Sequence, residues 1–79
     1  MRLDKYLKVS RLIKRRTVAN EACDAGRVLI NEKPAKASST VKEGDQITIQ
    51  FGNKEVKVEV LTVQETVKKE EAKELFRYL

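Results

Sequence analysis

The sequence contains no histidine and no tryptophan, and it has one cysteine in 79 residues. A single cysteine cannot form a disulfide within the chain, and a cysteine and histidine zinc site cannot be assembled either. Cys23 is more typical of a chain in a reducing cytosol than of a secreted one. We therefore expect no metal and no cofactor.

Long hydrophobic runs are also missing. The longest aliphatic run is the tripeptide Val28, Leu29 and Ile30, whereas a signal peptide needs about 7 to 15 apolar residues and a membrane-spanning helix about 20. We expect neither element. A chain of this length fits one compact domain.

Positive charge is abundant but unevenly placed. The net charge is +5, and residues 1–16 hold seven Lys or Arg against one acid, Asp4, whereas residues 17–79 hold ten bases and eleven acids. The whole basic excess therefore lies in the N-terminal segment. Such a concentration indicates a localised surface that binds a polyanion.

Apolar spacing predicts two helices at the N-terminus. Leu3, Tyr6 and Leu7 fall at helical intervals, and the stripe continues toward residues 12 and 13. A second helix is expected to begin at Thr17, a favourable N-cap, and to stop at Gly26. Its expected apolar face comprises Val18, Ala19, Ala22 and Cys23.

The middle of the chain changes to a period of two. The pattern predicts a strand at residues 28–30, a turn near Asn31 and a short second strand that Pro34 limits to a sheet edge. Two stretches in which apolar and polar residues alternate follow. The residues expected to face the core there are Ile47, Ile49, Phe51, Val56, Val58 and Val60. These stretches predict a small antiparallel sheet with one buried face.

A third helix is predicted at the C-terminus, with a cap near Thr66. Its expected apolar positions are Ala72, Leu75, Phe76 and Leu79. The predicted fold class is thus α+β, with two N-terminal helices packed on a small antiparallel sheet and a C-terminal helix. We expect an RNA-binding domain over residues 1–63 and a helical extension over residues 64–79.

The basic segment exceeds what helix capping requires. One or two cations would offset a helix dipole, at about 0.3 to 1 kcal/mol each. Arg15 and Arg16 directly precede the predicted start of helix two, where free N–H groups already favour an anion such as phosphate. If helix one continues that far, Arg11, Lys14 and Arg15 share one face and could follow successive phosphates. We therefore favour a nucleic acid over a single phosphate.

The few aromatic residues favour a folded RNA. With Phe51 and Phe76 assigned to the core, only Tyr6 and Tyr78 remain as candidate stacking residues, and Tyr6 is better explained by half-buried packing. A protein that reads single-stranded bases would need more aromatic platforms. Recognition through backbone and shape fits better.

The segments "RLDKYLKVSRL", Arg16-Thr17-x-Ala19, "GRVLIN" and "GDQI" occur in the order and spacing of a known family. Over residues 1 to about 50 the chain resembles the S4 RNA-binding domain, which is named after a small-subunit ribosomal protein. The resemblance implies two helices on a small sheet that bind structured RNA. It also implies that Asp4 orients a neighbouring basic side chain. The candidate RNA-binding residues are Arg2, Lys5, Lys8, Arg11, Lys14, Arg15 and Arg16, with Asp4 and Thr17 in support.

Two positions depart from the family pattern. Arg15 stands where a small hydroxyl residue is usual, which adds charge at the expected phosphate site. Glu32 follows Asn31 at a position where the family often has glycine, so the type of turn there is left open.

Many S4 domains are joined to catalytic domains, whereas we expect this chain to stand alone. It is then similar to the small bacterial heat-shock S4 protein and closer still to the RqcP family. That likeness implies a cytoplasmic, ribosome-associated quality control factor, monomeric off the ribosome. It would bind large-subunit ribosomal RNA and peptidyl-tRNA after stalled translation, and support alanine addition beside the tRNA-recruiting factor RqcH.

Three other functions remain open at this point. An enzyme is disfavoured because the sequence shows neither a nucleophile with its base nor a paired acid and base. The glutamates Glu70, Glu71 and Glu74 are typical of a solvated helix face, and Cys23 fits a packing role. A ribosome assembly or structural ribosomal protein would use the same phosphate contacts. A protein adaptor would use the sheet or the C-terminal helix.

Overall fold

The computed structural model describes all 79 residues as two helices packed on one five-stranded sheet. The elements are α1 (Leu3–Val9), α2 (Arg16–Asp24), β1 (Val28–Ile30), β2 (Lys33–Pro34), β3 (Gln46–Phe51), β4 (Lys54–Val60), a 3-10 helix (Lys69–Glu74) and β5 (Phe76–Tyr78). The strand order is β2-β1-β3-β4-β5, and every pair is antiparallel. This confirms the predicted α+β class.

Helix α1 is held by its buried face and by a loop that contacts its first turn. Leu3, Tyr6 and Leu7 are fully buried, as their spacing predicts. The N–H groups of Leu3 and Asp4 donate to carbonyl oxygens of the loop before β3, at 2.8 and 3.1 Å. The first turn of α1 therefore uses its free donors within the fold.

Helix α1 ends earlier than the charge pattern suggests. It stops at Val9, and Arg11 follows with a φ of 63° in the left-handed region. A residue in this conformation terminates a helix, and arginine adopts it at a cost of about 1 to 2 kcal/mol. The prediction that Arg11, Lys14 and Arg15 share one helical face is therefore wrong.

The N-cap of helix α2 lies two residues before the expected one, and the helix ends where expected. Arg15, not Thr17, occupies the N-cap and provides no side-chain hydrogen bond, so Thr17 lies inside the first turn. At the other end Gly26 has a φ of 75°, and the Arg27 N–H donates to the Ala22 carbonyl at 3.0 Å. This is the glycine-terminated helix end that the sequence predicts.

The sheet buries one face beneath the helices. Ile47, Ile49, Val58 and Val60 are buried as predicted. Phe51, at the end of β3, is 44% exposed, so its predicted core role is wrong. Pro34 lies in β2, an edge strand, where its missing N–H costs no ladder bond.

The turn between β1 and β2 resolves the question raised by Glu32. Asn31 and Glu32 have φ angles of 52° and 70°, which is the two-residue hairpin turn of type I′ that normally favours Asn-Gly. Glutamate adopts this conformation here without a glycine.

The C-terminal segment is not the regular helix that its apolar spacing predicts. Lys69–Glu74 forms a 3-10 helix preceded by Lys68, and Phe76–Tyr78 forms a strand beside β4. Leu75 and Phe76 are buried, and the Tyr6 hydroxyl donates to the Leu75 carbonyl at 2.8 Å. The segment is thus tied to α1, which positions it beside the basic residues.

Candidate nucleic-acid interface

Five of the seven predicted cations line one groove between α1, the turn after it and the segment that follows β4. We call this the basic groove; its lining residues are Lys5, Lys8, Val9, Arg11, Lys14, Arg16, Glu65, Thr66 and Val67. Although α1 ends at residue 9, the turn after it folds back onto α1, with the Ile13 N–H donating to the Leu7 carbonyl at 3.1 Å. The turn, rather than a continuous helix, brings the cations together.

The other two predicted cations lie outside the lining of the groove. Arg2 is beside Asp4 at the start of α1, and Arg15 is the exposed N-cap residue of α2. No side chain caps α2, so the N–H groups of its first turn are open to an anion beside Arg16.

Asp4 is the centre of a hydrogen-bond network that orients two arginines. Its side chain is 3% exposed, and its carboxylate accepts from Arg2 Nε at 3.2 Å and from Arg16 Nε at 3.4 Å. Asn20 Nδ2 donates at 3.4 Å and the Lys5 backbone N–H at 2.8 Å. Four donors therefore satisfy one buried carboxylate and fix both guanidinium groups. Asp4 thus lies where it can orient neighbouring basic side chains, as the family resemblance implies.

The network keeps Asp4 ionised. Burial by itself would raise the pKa of the carboxyl, but the Asn20 and Arg16 hydrogen bonds, the Arg16 charge and the Lys5 N–H together hold that pKa below its ordinary value. The arginines consequently face a permanent negative charge at neutral pH.

One carboxylate inside the groove was not anticipated from the sequence. Glu65 accepts from Lys5 Nζ in an exposed ion pair. The Lys5 hydrogen bond and charge lower the pKa of Glu65. Glu65 and Asn20 are distant in sequence from their partners, so no local pattern could have identified either.

Four predicted cations have no carboxylate partner. Lys8, Arg11, Lys14 and Arg15 take part in none of the six ion pairs of the chain, and all four are exposed. Unpaired cations on one surface create a positive potential that an external anion can neutralise.

The remaining candidate side chains are structural. Tyr6 is buried with its hydroxyl bonded to Leu75, and burial raises its pKa. Cys23 is also buried, and burial with the nearby Asp4 and Asp24 charges raises the pKa of its thiol to about 11. Tyr78 is 70% exposed and packs edge-on against Phe76, with ring centroids 5.2 Å apart. Tyr78 and Phe51 are the two aromatic residues whose rings are exposed enough to meet a base.

Two further properties bear on the kind of site. The chain places no three His, Cys, Asp or Glu side chains where they could share a metal ion. None of its helices has the length and apolar character needed to cross a bilayer.

Comparison with known proteins gives consistent matches. Residues 1–47 match the family model described as the S4 domain. The "RQC P-site tRNA stabilizing factor" of Halalkalibacterium halodurans is 60% identical over 76 residues, which cover 96% of this chain and 86% of that protein. The Bacillus subtilis protein of the same name is 58% identical over 79 residues, covering 100% and 92%.

A solved structure shares the whole fold. It is described as a trimeric structure of Vibrio cholerae heat shock protein 15, with a TM-score of 0.91 and 32% identity, and the match covers 100% of this chain and 81% of that one.

Proposed function

This chain belongs to the S4 domain family, and from that premise we propose that it binds structured RNA through the basic groove. The observation that carries the proposal is that the exposed groove residues Lys8, Arg11 and Lys14 have no carboxylate partner within the chain. Phosphates would supply the missing negative charge, and the Asp4 network would hold Arg2 and Arg16 ready for hydrogen bonds to them.

The proposed task is ribosome-associated quality control. Relatives that match nearly the whole chain at 58 to 60% identity are named RQC P-site tRNA stabilizing factors. We accordingly propose that this protein acts in the cytoplasm on large ribosomal subunits that retain peptidyl-tRNA, contacts ribosomal RNA and tRNA together, and stabilises the tRNA. In this proposal it supports alanine addition to the stalled chain with RqcH, acts without catalysing a reaction itself, and is a monomer off the ribosome.

The mechanism follows from positioning. A tRNA that is held on a large subunit without codon pairing can move, whereas a small domain that contacts phosphates of both tRNA and ribosomal RNA links the two. The groove suits such a bridge because its cations come from α1, the turn and the start of α2. Backbone contacts carry little sequence information, so the same protein could hold tRNAs of different sequence.

The test is sedimentation of a tagged chain from gently lysed cells, followed by sequencing of the RNA crosslinked to it in each fraction. We expect enrichment on large subunits that carry tRNA, and loss of that enrichment in Lys8→Gln/Lys14→Gln. The matched control Lys42→Gln/Lys54→Gln removes two exposed lysines outside the groove and should behave as the parent. Uniform occupancy of all large subunits would instead indicate a structural ribosomal protein, and absence of crosslinked RNA would refute RNA binding.

A further inference from the structure

A second recess adjoins the basic groove on the other side of Arg11. It is lined by Ser10, Arg11, Lys69, Glu70, Ala72, Lys73 and Phe76. Its lysines come from the 3-10 helix, which lies within the predicted extension over residues 64–79. The buried Ala72 and Leu75, together with the Tyr6 hydrogen bond to the Leu75 carbonyl, hold this helix against α1.

Arg11 belongs to both recesses. Its φ of 63° is an uncommon conformation for a residue with a side chain, and this conformation terminates α1. Since one residue lines both recesses, they are neighbouring parts of one surface.

The lysines of the second recess lack internal partners. Lys69 and Lys73 are exposed and form no ion pair, although the same 3-10 helix carries three glutamates. Together the two recesses are lined by seven cations and two carboxylates. That excess of five positive charges equals the net charge of the whole chain, so the remaining surface is neutral in sum.

We propose that Lys69 and Lys73 are RNA-binding residues, which extend the basic groove past Arg11 so that a single RNA backbone contacts both recesses. This inference rests on the proposed function. The S4 match ends at residue 47, so the added contacts come from a part of the chain outside the matched domain. Lysine suits this role because its ammonium group acts as a point charge toward phosphate.

The test compares Lys69→Gln/Lys73→Gln with the control Lys42→Gln/Lys54→Gln, using an unmodified tRNA transcript as the probe. Both variants remove two charges from exposed lysines that form no ion pair. Affinity is measured between 50 and 200 mM KCl, after circular dichroism and thermal melting show that each variant is folded. Since each phosphate contact contributes about 0.7 to 0.9 to the slope of log affinity against log salt, we expect the first variant to lose roughly 1.4 to 1.8 units of slope and about tenfold in affinity.

A second readout is direct. Lysine acetylation of the free and tRNA-bound protein is followed by mass spectrometry, and bound tRNA should protect Lys69 and Lys73 but not Lys42 and Lys54. A parent-like slope together with unprotected Lys69 and Lys73 would overturn the inference.

The Lys8→Gln/Lys14→Gln variant separates this failure from failure of the proposed function. If that variant loses affinity while Lys69→Gln/Lys73→Gln does not, RNA binding stands and only the extension is refuted. If the parent shows no salt-dependent binding to the tRNA, the proposed function and the extension are both refuted.

Discussion

Two charged surfaces of this molecule differ in how their cations are paired. On the outer sheet face, which consists of Glu32, Glu55, Lys57, Glu59 and Arg77, Arg77 Nη2 lies 2.6 Å from Glu59 Oε1, and Lys57 Nζ lies 3.4 and 3.7 Å from Glu32 and Glu55. In the basic groove most cations have no such partner. Cations that are paired on the sheet face need no external anion, whereas the unpaired cations of the groove can be neutralised by one from outside. The extent of ion pairing, rather than the number of charges, therefore distinguishes a candidate interface.

Asp4 is the one buried acid among the basic residues, so its substitution should disturb the basic surface most. Asp4→Asn removes the charge that holds Arg2 and Arg16, and we expect it to lower the free energy of unfolding by about 2 to 4 kcal/mol. RNA affinity should fall by about tenfold even though the net charge rises, because the arginines lose their orientation. Urea unfolding and tRNA binding, both well below the melting temperature, measure these effects. Tighter RNA binding would show that net charge alone matters.

Asp4 also makes the stability of the folded chain depend on pH. Because the pKa of Asp4 is lower in the folded chain than its ordinary value of 3.8, its stabilisation is complete above about pH 5 and is lost as the pH falls through the folded-state pKa. We expect the stability difference between the parent and Asp4→Asn to be widest near pH 7 and to narrow below pH 4. Urea titrations over this range measure it. A difference that stays constant down to pH 2 would contradict the assignment.

Matched arginine variants on the two surfaces test which surface contacts phosphates. The parent should lose tRNA affinity with a salt slope of roughly −3.5 to −4.5 if about five cations contact phosphates. Arg16→Ala should reduce the magnitude of that slope by about one unit, whereas Arg77→Ala, which removes the same charge from the outer sheet face, should leave it unchanged. Equal slopes in all three proteins would place the phosphates elsewhere.

The smallest expected effect concerns the acid within the groove. Glu65→Gln removes a carboxylate that competes with phosphate for Lys5, and an exposed pair of this kind is worth about 0.2 to 1 kcal/mol. We therefore expect a rise in tRNA affinity of about 1.5- to 5-fold. Glu55→Gln makes the same charge change on the outer sheet face and should have a smaller effect. The competition would be refuted if the two variants gained affinity equally.

Local patterns in the sequence predicted the core better than the ends of the elements. The alternation of Ile47 and Ile49 with polar neighbours and the stop at Gly26 are confirmed, since each depends on periods or conformations that a few adjacent residues determine. The end of α1 was missed because Arg11 adopts a left-handed conformation that its residue type does not favour. The spacing of Ala72 and Leu75 suits a 3-10 turn as well as a regular helix.

The candidate site was likewise predictable from the sequence only in part. The basic residues were evident from charge placement alone, and their roles in RNA contact stay predictions. Their convergence on one groove was not predictable, because it depends on the turn after α1 and on a segment more than fifty residues away. The partners Asn20 and Glu65, and the recess at Lys69, depend on tertiary packing.

The hydrogen bond between Tyr6 and Leu75 has a consequence for how the protein is made. It joins the first helix to a carbonyl 69 residues later, and the strand that follows completes the sheet. Contacts of such long range form only after the intervening chain is available. While a ribosome still encloses residues 70 to 78, the sheet lacks its last strand and the Tyr6 hydroxyl lacks its acceptor. Synthesis must therefore proceed past this segment, and the segment must leave the exit tunnel, before the fold can close.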